Sequence, residues 1–123
     1  PTAPFVTANA IKTAMMLLEQ EGADACIPVV KFYFPPQRCV VIHENRLSPK
    51  WPENMKLRSQ DLEPFYHDCG QFYCLNTKSF MEQKAIWMKN VVPFIQDESS
   101  VQDIDTMEDW KIAETKYKTL RGL

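Results

Sequence analysis

Two carboxylates, Asp103 and Asp105, stand one residue apart in the last quarter of this 123-residue chain. If the segment from Val101 to Asp105 is extended, alternate side chains point to the same side, so both carboxylates would face one ligand. Thr106 and Asp109, which follow, have the spacing of a helix capping box. An acidic pair where a strand ends and a helix begins is a common site for a hard cation with phosphate ligands. From spacing alone, an acidic turn with a helix cap remains the alternative.

A second group of reactive side chains comprises His67, Asp68, Cys69 and Cys74. If residues 67–69 form a strand, His67 and Cys69 share a face and could form a nucleophilic pair or part of a zinc site. A zinc site needs four ligands at standard spacings, and the sequence has no second cluster to supply the others. Buried thiols beside a hydrogen-bonded histidine are therefore the favoured interpretation.

The aromatic and polar residues around Gln71, Phe72 and Tyr73 could line a pocket for a polar ring with apolar edges. Arg58 could bind a carboxylate through two parallel hydrogen bonds. Taken alone, aromatic residues in a strand are more often part of the core, and a single arginine is more often a surface residue. No side chain stands out as a general base.

Composition and motifs exclude several other functions. The formal net charge is −2, so no basic excess indicates a nucleic acid partner. No apolar run approaches the roughly 20 residues that span a membrane. With only three glycines, the chain has no phosphate-binding loop or dinucleotide fingerprint. Four cysteines without a CxxC pair predict reduced thiols in a cytoplasmic protein. The opening at Pro1 suggests a fragment or a processed chain.

Hydrophobic periodicity predicts a single α/β domain over residues 1–123, with helices alternating with strands. We expect helices at 8–21, 77–84 and 107–120, and strands at 26–34, 39–43, 65–76 and 91–96. The first two strands would form a hairpin or bent ribbon, and Met15 and Met16 would fill the core. Gly70 predicts a bulge or a close approach to the backbone. Residues 44–64 show no period and form an excursion that a partner subunit could cover, and a mobile surface loop with a few apolar contacts to its own domain is the alternative.

Three motifs resemble the C-terminal portion of the acylneuraminate cytidylyltransferases, also called CMP-sialic acid synthetases. They are PTAPFVTA at residues 1–8, RSQDLEPFYHDCGQFY at 58–73 and VQDIDTMEDWKIAE at 101–114. Within that family the chain is most similar to the pseudaminic acid cytidylyltransferases. The middle motif is specific, whereas the last is shared across the wider family.

This resemblance implies a partial Rossmann-like nucleotidyltransferase fold, a mixed sheet flanked by helices, with residues 44–64 as an inserted dimerisation segment of a homodimer. The implied reaction joins CMP from CTP to a nine-carbon acidic sugar, pseudaminic or sialic acid, and releases pyrophosphate. Asp103 and Asp105 match the family's metal-binding carboxylates, with Mg²⁺ as the ion. Arg58 falls where the insert lends a basic residue to the neighbouring subunit's sugar site.

Phe72 and Tyr73, beside Gln71, fall where aromatic residues enclose the sugar's acyl-amino group. Residues 1–5 would form a strand end and a loop that faces nucleotide or sugar. The family's N-terminal strand and its glycine-containing loop, which bind the CTP phosphates, are absent from this sequence. We therefore expect the 123 residues alone to be inactive. A dimerisation or sugar-binding module without catalysis is the alternative function.

Overall fold

A computed structural model describes residues 2–123, which divide into two compact units. The first unit comprises the residues up to Val30 together with Asp68–Leu123, and the second is Lys31–His67. The helices are α1 (Ala8–Gln20), α2 (Thr77–Gln83) and α3 (Met107–Arg121). The strands are β1 (Ala25–Lys31), β2 (Val40–His43), β3 (Arg46–Pro49), β4 (Tyr66–Asp68), β5 (Cys74–Leu75) and β6 (Val91–Ile95).

Strand β1 is the centre of a four-stranded mixed sheet. It pairs with β6 in parallel and with β5 in antiparallel orientation, and β4 is the fourth strand. Six consecutive residues of β1, from Ala25 to Val30, are buried, as expected for a strand covered on both faces. Its side chains enter two core clusters, one around Ile27 and Val29 and the other around Val30. The predicted α/β class is confirmed.

All three predicted helices are present, and local capping explains their bounds. The Thr7 side chain accepts a hydrogen bond from the backbone N–H of Ala10 at the start of α1. Asn76 caps α2, and Gly122, in the left-handed conformation, ends α3. The core role predicted for Met15 and Met16 is wrong, because about half of each side chain is exposed (49% and 56%). Ala14 is the residue of α1 that the core buries.

The predicted strand over residues 26–34 ends earlier than its apolar run. Regular pairing stops at Lys31, and Tyr33 is fully exposed. The predicted hairpin with residues 39–43 is also wrong, because β2 pairs with β3 instead. Glu44 and Asn45 form the turn with positive φ angles of 46° and 60°, which the tight two-residue hairpin turn requires.

The second unit contains this hairpin and three short 3-10 helices, so residues 44–64 are more ordered than their lack of a period predicted. The 3-10 helices are Pro36–Arg38, Pro52–Lys56 and Ser59–Asp61. The side chain of Gln37 donates to the carbonyl of Glu63 at 2.7 Å and ties the beginning of the unit to its end. The N–H of Phe32 donates to the carbonyl of Phe65 at 2.9 Å, so the two ends of the unit lie side by side.

The predicted strand over residues 65–76 is split into β4 and β5, with Gly70 in the gap at a φ of 63°. The predicted strand over 91–96 is confirmed as β6. The sequence left open whether residues 101–105 are extended. Residues 101–104 belong to no helix or strand, and Asp105 lies in a bend. No helix within residues 2–123 is long and apolar enough to cross a membrane.

Candidate functional site

The acidic segment, residues 101–105, is held by individual hydrogen bonds rather than by a strand ladder. Lys116 of α3 donates to the carbonyl of Val101 at 2.8 Å and also pairs with Glu98 at 3.0 Å. The N–H of Ile104 donates to the carbonyl of Thr2 at 3.0 Å. These contacts fix a short segment that precedes α3 and belongs to no strand.

The capping box predicted from the sequence is confirmed. The N–H of Asp109 donates to the hydroxyl of Thr106, and the Asp109 carboxylate accepts from the N–H of Thr106 at 2.8 Å. The same carboxylate accepts from the N–H of Asp105 at 3.3 Å. The hydrogen bonds from Thr106 hold the pKa of Asp109 below its ordinary value. The first turn of α3 therefore also fixes the backbone at Asp105, whose side chain is exposed.

The side chain of Asp103 lies directly against the backbone of Gly70. A Cβ atom on Gly70 would stand 2.5 Å from Oδ2 of Asp103 and 2.8 Å from its Cγ, closer than real Cβ contacts. The other carboxylate oxygen, Oδ1, is buried and has no hydrogen-bond partner among the described residues. The close approach predicted at Gly70 is thus confirmed, and its partner is one of the two predicted metal ligands.

Gln71 joins the segment after β4 to the acidic segment. Its side-chain amide donates to the carbonyl of Cys69 at 3.1 Å and to the carbonyl of Gln102 at 3.3 Å. The amide of Gln102 in turn donates to the carbonyl of Asp103 at 2.9 Å. Both donors of the Gln71 amide are therefore directed at the protein's own backbone, and its role as a direct sugar contact stays a prediction.

Tyr73 is held by a residue that the sequence analysis did not assign to the site. Its hydroxyl donates to Oδ2 of Asp68, and Oδ1 of Asp68 accepts from the N–H of Gly70 at 2.8 Å. The hydrogen bond to Asp68 and burial raise the pKa of Tyr73 to about 12, so its hydroxyl stays protonated. The ring of Tyr73 is partly exposed, at 41%. The Asp-x-Gly spacing, typical of a turn closed by an aspartate, was the available signal for Asp68.

The site residues predicted from the sequence fall into both units. Gln71, Phe72, Tyr73, Asp103 and Asp105 belong to the first unit, where the contacts at Gly70 and Gln102 bring the two segments together.

Arg58 belongs to the second unit. It forms two hydrogen bonds with Asp61, at 2.9 and 3.2 Å, and its side chain is 72% exposed. An exposed pair of this kind adds little to stability, so Arg58 can exchange Asp61 for another carboxylate at small cost.

The thiol of Cys69 has the properties of a core group. It donates to the carbonyl of Pro28 at 3.3 Å, and burial raises its pKa to about 11, which makes it a poor nucleophile at neutral pH. The ring of His67 packs against that of Phe32 with centroids 4.7 Å apart. Within residues 2–123, no group of three or more His, Cys, Asp and Glu side chains is placed to hold a metal. The zinc and cysteine-nucleophile alternatives therefore gain no support.

The donor set around the acidic segment suits Mg²⁺ better than a metal that needs a full protein cage. Mg²⁺ is usually held by one or two carboxylates, and water and substrate phosphates complete its octahedron. The chain offers two carboxylates, and Oδ1 of Asp103 is a buried acceptor whose capacity the described protein groups leave unused. A buried carboxylate oxygen without a partner is costly unless a cation or water compensates it.

Comparison with proteins of known function identifies a class of relatives, the cytidylyltransferases that act on pseudaminic acid. The pseudaminic acid cytidylyltransferase of Campylobacter jejuni subsp. jejuni serotype O:23/36 is 34% identical over 118 residues, which are 95% of this chain and 51% of that protein. That of serotype O:2 is 32% identical over the same shares of both chains. The resemblance predicted from the three motifs is confirmed.

A more distant relative combines two activities in one chain. It is the pseudaminic acid cytidylyltransferase and UDP-2,4-diacetamido-2,4,6-trideoxy-beta-L-altropyranose hydrolase of Helicobacter pylori, 27% identical over 89% of this chain and 20% of that protein. No family model matches the sequence. The chain spans about half the length of the Campylobacter relatives, so it matches only part of a cytidylyltransferase.

Proposed function

We propose that this chain is part of a CTP-dependent cytidylyltransferase that activates a nine-carbon acidic sugar, pseudaminic or sialic acid. In the proposed reaction the anomeric hydroxyl of the sugar attacks the α-phosphorus of CTP, CMP is transferred to that oxygen, and pyrophosphate leaves. The observation that carries the proposal is the similarity to pseudaminic acid cytidylyltransferases along 95% of the chain. The packing of Asp103 against Gly70 supports it, because it joins two of the motifs that carry the resemblance.

In this proposal Asp103 and Asp105 hold Mg²⁺. The ion would supply charge neutralisation on the phosphates and help to align the attack, as is usual in phosphoryl transfer. The chain's own contribution is positional. Lys116 and the capping box fix the two ends of the acidic segment, and the contact with Gly70 fixes Asp103 between them. The Asp103 carboxylate and the backbone at Asp105 are thereby placed before substrate binds, which reduces the reorganisation needed in the transition state.

Phe72 and Tyr73 are proposed to enclose the acyl-amino group of the sugar. The hydrogen bond to Asp68 fixes the Tyr73 ring and leaves part of its surface exposed for contact. Arg58 is proposed to reach the sugar carboxylate in a neighbouring subunit, since its present partner Asp61 is an exposed carboxylate that a ligand could replace. In this scheme Gln71 lies beside the sugar and acts chiefly through the backbone.

A chimera tests the proposed reaction. The chain would replace the matching half of the Campylobacter enzyme, and pyrophosphate release from CTP and pseudaminic acid would be measured. We expect activity in the chimera and a loss of about 100-fold or more in its Asp103→Asn, Asp105→Asn double variant, because ion binding supplies several kcal/mol of charge stabilisation. A Glu108→Gln variant, which changes an exposed carboxylate in the first turn of α3, serves as the control.

Two outcomes would contradict this proposal. A folded chimera that releases no pyrophosphate with either pseudaminic or N-acetylneuraminic acid would contradict the proposed cytidylyltransferase reaction. Full activity in the double variant would remove the metal role of the two aspartates. The 123-residue chain alone is expected to release none, because no loop for binding the triphosphate is present in its sequence.

The architecture proposed for the complete enzyme is a Rossmann-like nucleotidyltransferase with a homodimer interface in its insert. The parallel pairing of β1 and β6, with helices around the mixed sheet, is compatible with part of such a fold. The separate compactness of Lys31–His67 supports the insert. Dimerisation would cover apolar side chains that the second unit exposes.

The second candidate function is a dimerisation module without catalysis, and the β2–β3 hairpin favours it. Val40, Ile42, Leu47 and Pro49 occupy one face of the hairpin by register, and all four are exposed. A two-stranded ribbon with an apolar face is marginally stable alone and commonly pairs with another surface. Sedimentation of the chain at micromolar concentration tests this candidate: a dimer supports it, and a monomer counts against it.

A further inference from the structure

We propose that Gly70 and Gln71 are positioning residues for the cation site, an inference that rests on the metal role proposed above. Gly70 would provide the space in which the Asp103 carboxylate lies, and Gln71 would hold the backbone next to it. Together they would orient Asp103 so that Oδ1 is available to a cation. Gln71 is thereby assigned to the metal half of the site rather than to direct recognition of the sugar.

Residue 70 is a glycine and leaves space for the Asp103 carboxylate. Its φ of 63° is in the left-handed region, where glycine is favoured, and a Cβ atom there would overlap Oδ2 and Cγ of Asp103. The three nearest atoms all belong to the Asp103 side chain, and the backbone at residue 70 is tied by the bond from its N–H to Asp68. Any other residue at position 70 would therefore push the Asp103 carboxylate out of its place.

The Gln71 amide makes two hydrogen bonds. One fixes the side chain to its own segment at Cys69, and the other reaches the carbonyl of Gln102, the residue before Asp103. No strand ladder holds residues 101–105, so the loss of this bond is not compensated by regular pairing. The glutamine thus controls the distance between the backbone at Gly70 and the carboxylate packed upon it.

The two oxygens of the Asp103 carboxylate have different surroundings. Oδ2 is confined by Gly70, while Oδ1 is buried and unpartnered in the part of the chain that the structure describes. In that state Oδ1 can coordinate a cation without further movement of the chain. Outer residues that orient a metal ligand in this way typically contribute 10- to 100-fold to metal affinity.

The test uses the 123-residue chain and Mn²⁺ as a probe for the Mg²⁺ site, with free Mn²⁺ measured by electron paramagnetic resonance. We expect the unmodified chain to bind Mn²⁺ and Asp103→Asn to abolish that binding. Gln71→Met, which keeps the side-chain volume but removes both donors, should weaken binding by about 10-fold or more. Gly70→Ala should weaken it at least as much.

The chain supplies a matched control for each variant. Gln83 also joins two segments of the first unit through its side-chain amide, donating to Asp24 at 3.0 Å, so Gln83→Met removes a comparable contact elsewhere. Gly22 has a φ of 56°, but a Cβ atom there would meet nothing within 4 Å, so Gly22→Ala reproduces the backbone strain alone. Both control variants should bind Mn²⁺ within about twofold of the unmodified chain.

The outcomes separate this inference from the proposed function. If Asp103→Asn abolishes Mn²⁺ binding but Gln71→Met binds as tightly as Gln83→Met, the positioning role is overturned and the metal site stands. If the unmodified chain binds no Mn²⁺, the positioning role of Gly70 and Gln71 and the metal role of Asp103 are both overturned, whereas the proposed reaction is judged by the chimera. Circular dichroism and thermal melting accompany each titration, and a Gly70→Ala chain that fails to fold leaves the decision to Gln71→Met.

Discussion

At the scale of single residues, Asp103 and Asp105 are unequal members of a pair that looks symmetrical in the sequence. Asp103 is partly buried against Gly70 and has one oxygen without a partner among residues 2–123, whereas Asp105 is exposed and its backbone N–H bonds to Asp109. Asp103 is therefore expected to carry most of the specificity for a cation, because its geometry is set before binding. Asp105 would add charge and complete the coordination.

Because of this difference, we expect Asp103→Asn to weaken cation binding without lowering the stability of the fold. In the metal-free chain, Asp103→Asn should leave the free energy of unfolding unchanged or raise it by up to about 1 kcal/mol, because one oxygen of the carboxylate is buried without a partner among the described residues. Asp105→Asn should be neutral within about 0.5 kcal/mol, as is usual at exposed positions. Urea unfolding in the presence of a chelator measures both. A loss above about 2 kcal/mol in Asp103→Asn would show that the carboxylate has a structural partner.

Two buried thiols predict a loss of stability in alkali. Burial raises the pKa of Cys26 and of Cys69 to about 11 from an ordinary value of 9.0. The unfolded chain therefore releases these protons first, so the stabilisation is complete below pH 9 and is lost as the pH rises from 9 to 11. Each thiol contributes at most roughly 2 to 3 kcal/mol across that range.

Urea midpoints measured at intervals from pH 7 to pH 11 test this prediction. The Cys69→Ala variant is the control, because it removes one of the buried thiols whose pKa is raised and should make the pH dependence less steep. A midpoint that is constant up to pH 11 in the unmodified chain would contradict it.

At the scale of elements, α3 both closes the first unit and fixes the acidic segment at its two ends. The capping box at Thr106 and Asp109 holds the backbone of Asp105, and Lys116, nearly three turns along, holds Val101. A change in the first turn of this helix is therefore expected to act on the candidate site as well as on helix stability.

Thr106→Ala should lower the free energy of unfolding by about 1 kcal/mol, because it removes a side-chain acceptor from an N-cap. Thr115→Ala is the matched control: its hydroxyl donates to the carbonyl of Lys111 within the same helix, and alanine favours helix there. Thermal denaturation distinguishes the two variants. Equal melting temperatures for Thr106→Ala and the unmodified chain would show that the cap contributes nothing.

The elements that sequence predicted best are those determined by local chemistry. Hydrogen bonds within one turn mark the helix ends at Thr7, Asn76, Thr106 and Gly122, and the capping box at Thr106 was predicted from its spacing to Asp109. The close approach at Gly70 was predicted from a glycine within a strand, but its partner was not, because Asp103 lies 33 residues away.

The errors of prediction arose where tertiary contacts decide. The apolar run after Lys31 continues as if it were a strand, yet pairing ends there and Tyr33 is exposed. The hairpin turn uses Glu44 and Asn45 without a glycine, so the usual turn signal is missing. Met15 occupies an apparently core-facing position of α1 but is half exposed, because only Ala14 of that helix is fully covered.

At the scale of the whole molecule, the second unit presents apolar side chains that its own residues leave uncovered. Ile42 is 71% exposed and Leu47 is 67% exposed, and the two are directly paired across the hairpin. A homodimer that buries this face would remove the exposure.

Leu47→Lys should therefore shift the chain toward monomer, since a charge in the middle of an apolar interface is costly to bury. The dimer dissociation constant from sedimentation should rise by about 10-fold or more, while Mn²⁺ binding stays unchanged. Ser48→Lys, on the opposite face of the same strand, is the control and should leave association unaffected. Identical sedimentation of both variants would exclude this face as the interface.

The hydrogen bond between Phe32 and Phe65 has a consequence for how such a chain can be built. Because Phe32 and Phe65 meet, residues 33–64 between them could be excised and replaced by a short turn without stretching the remaining chain, and all of β1 and β4 would be kept. We expect the shortened protein to fold, to retain the contact of Asp103 with Gly70 and to remain monomeric. Heteronuclear NMR spectra of the shortened and complete chains would test this. The residues for metal coordination and the segment for self-association could then be gained or lost independently of each other.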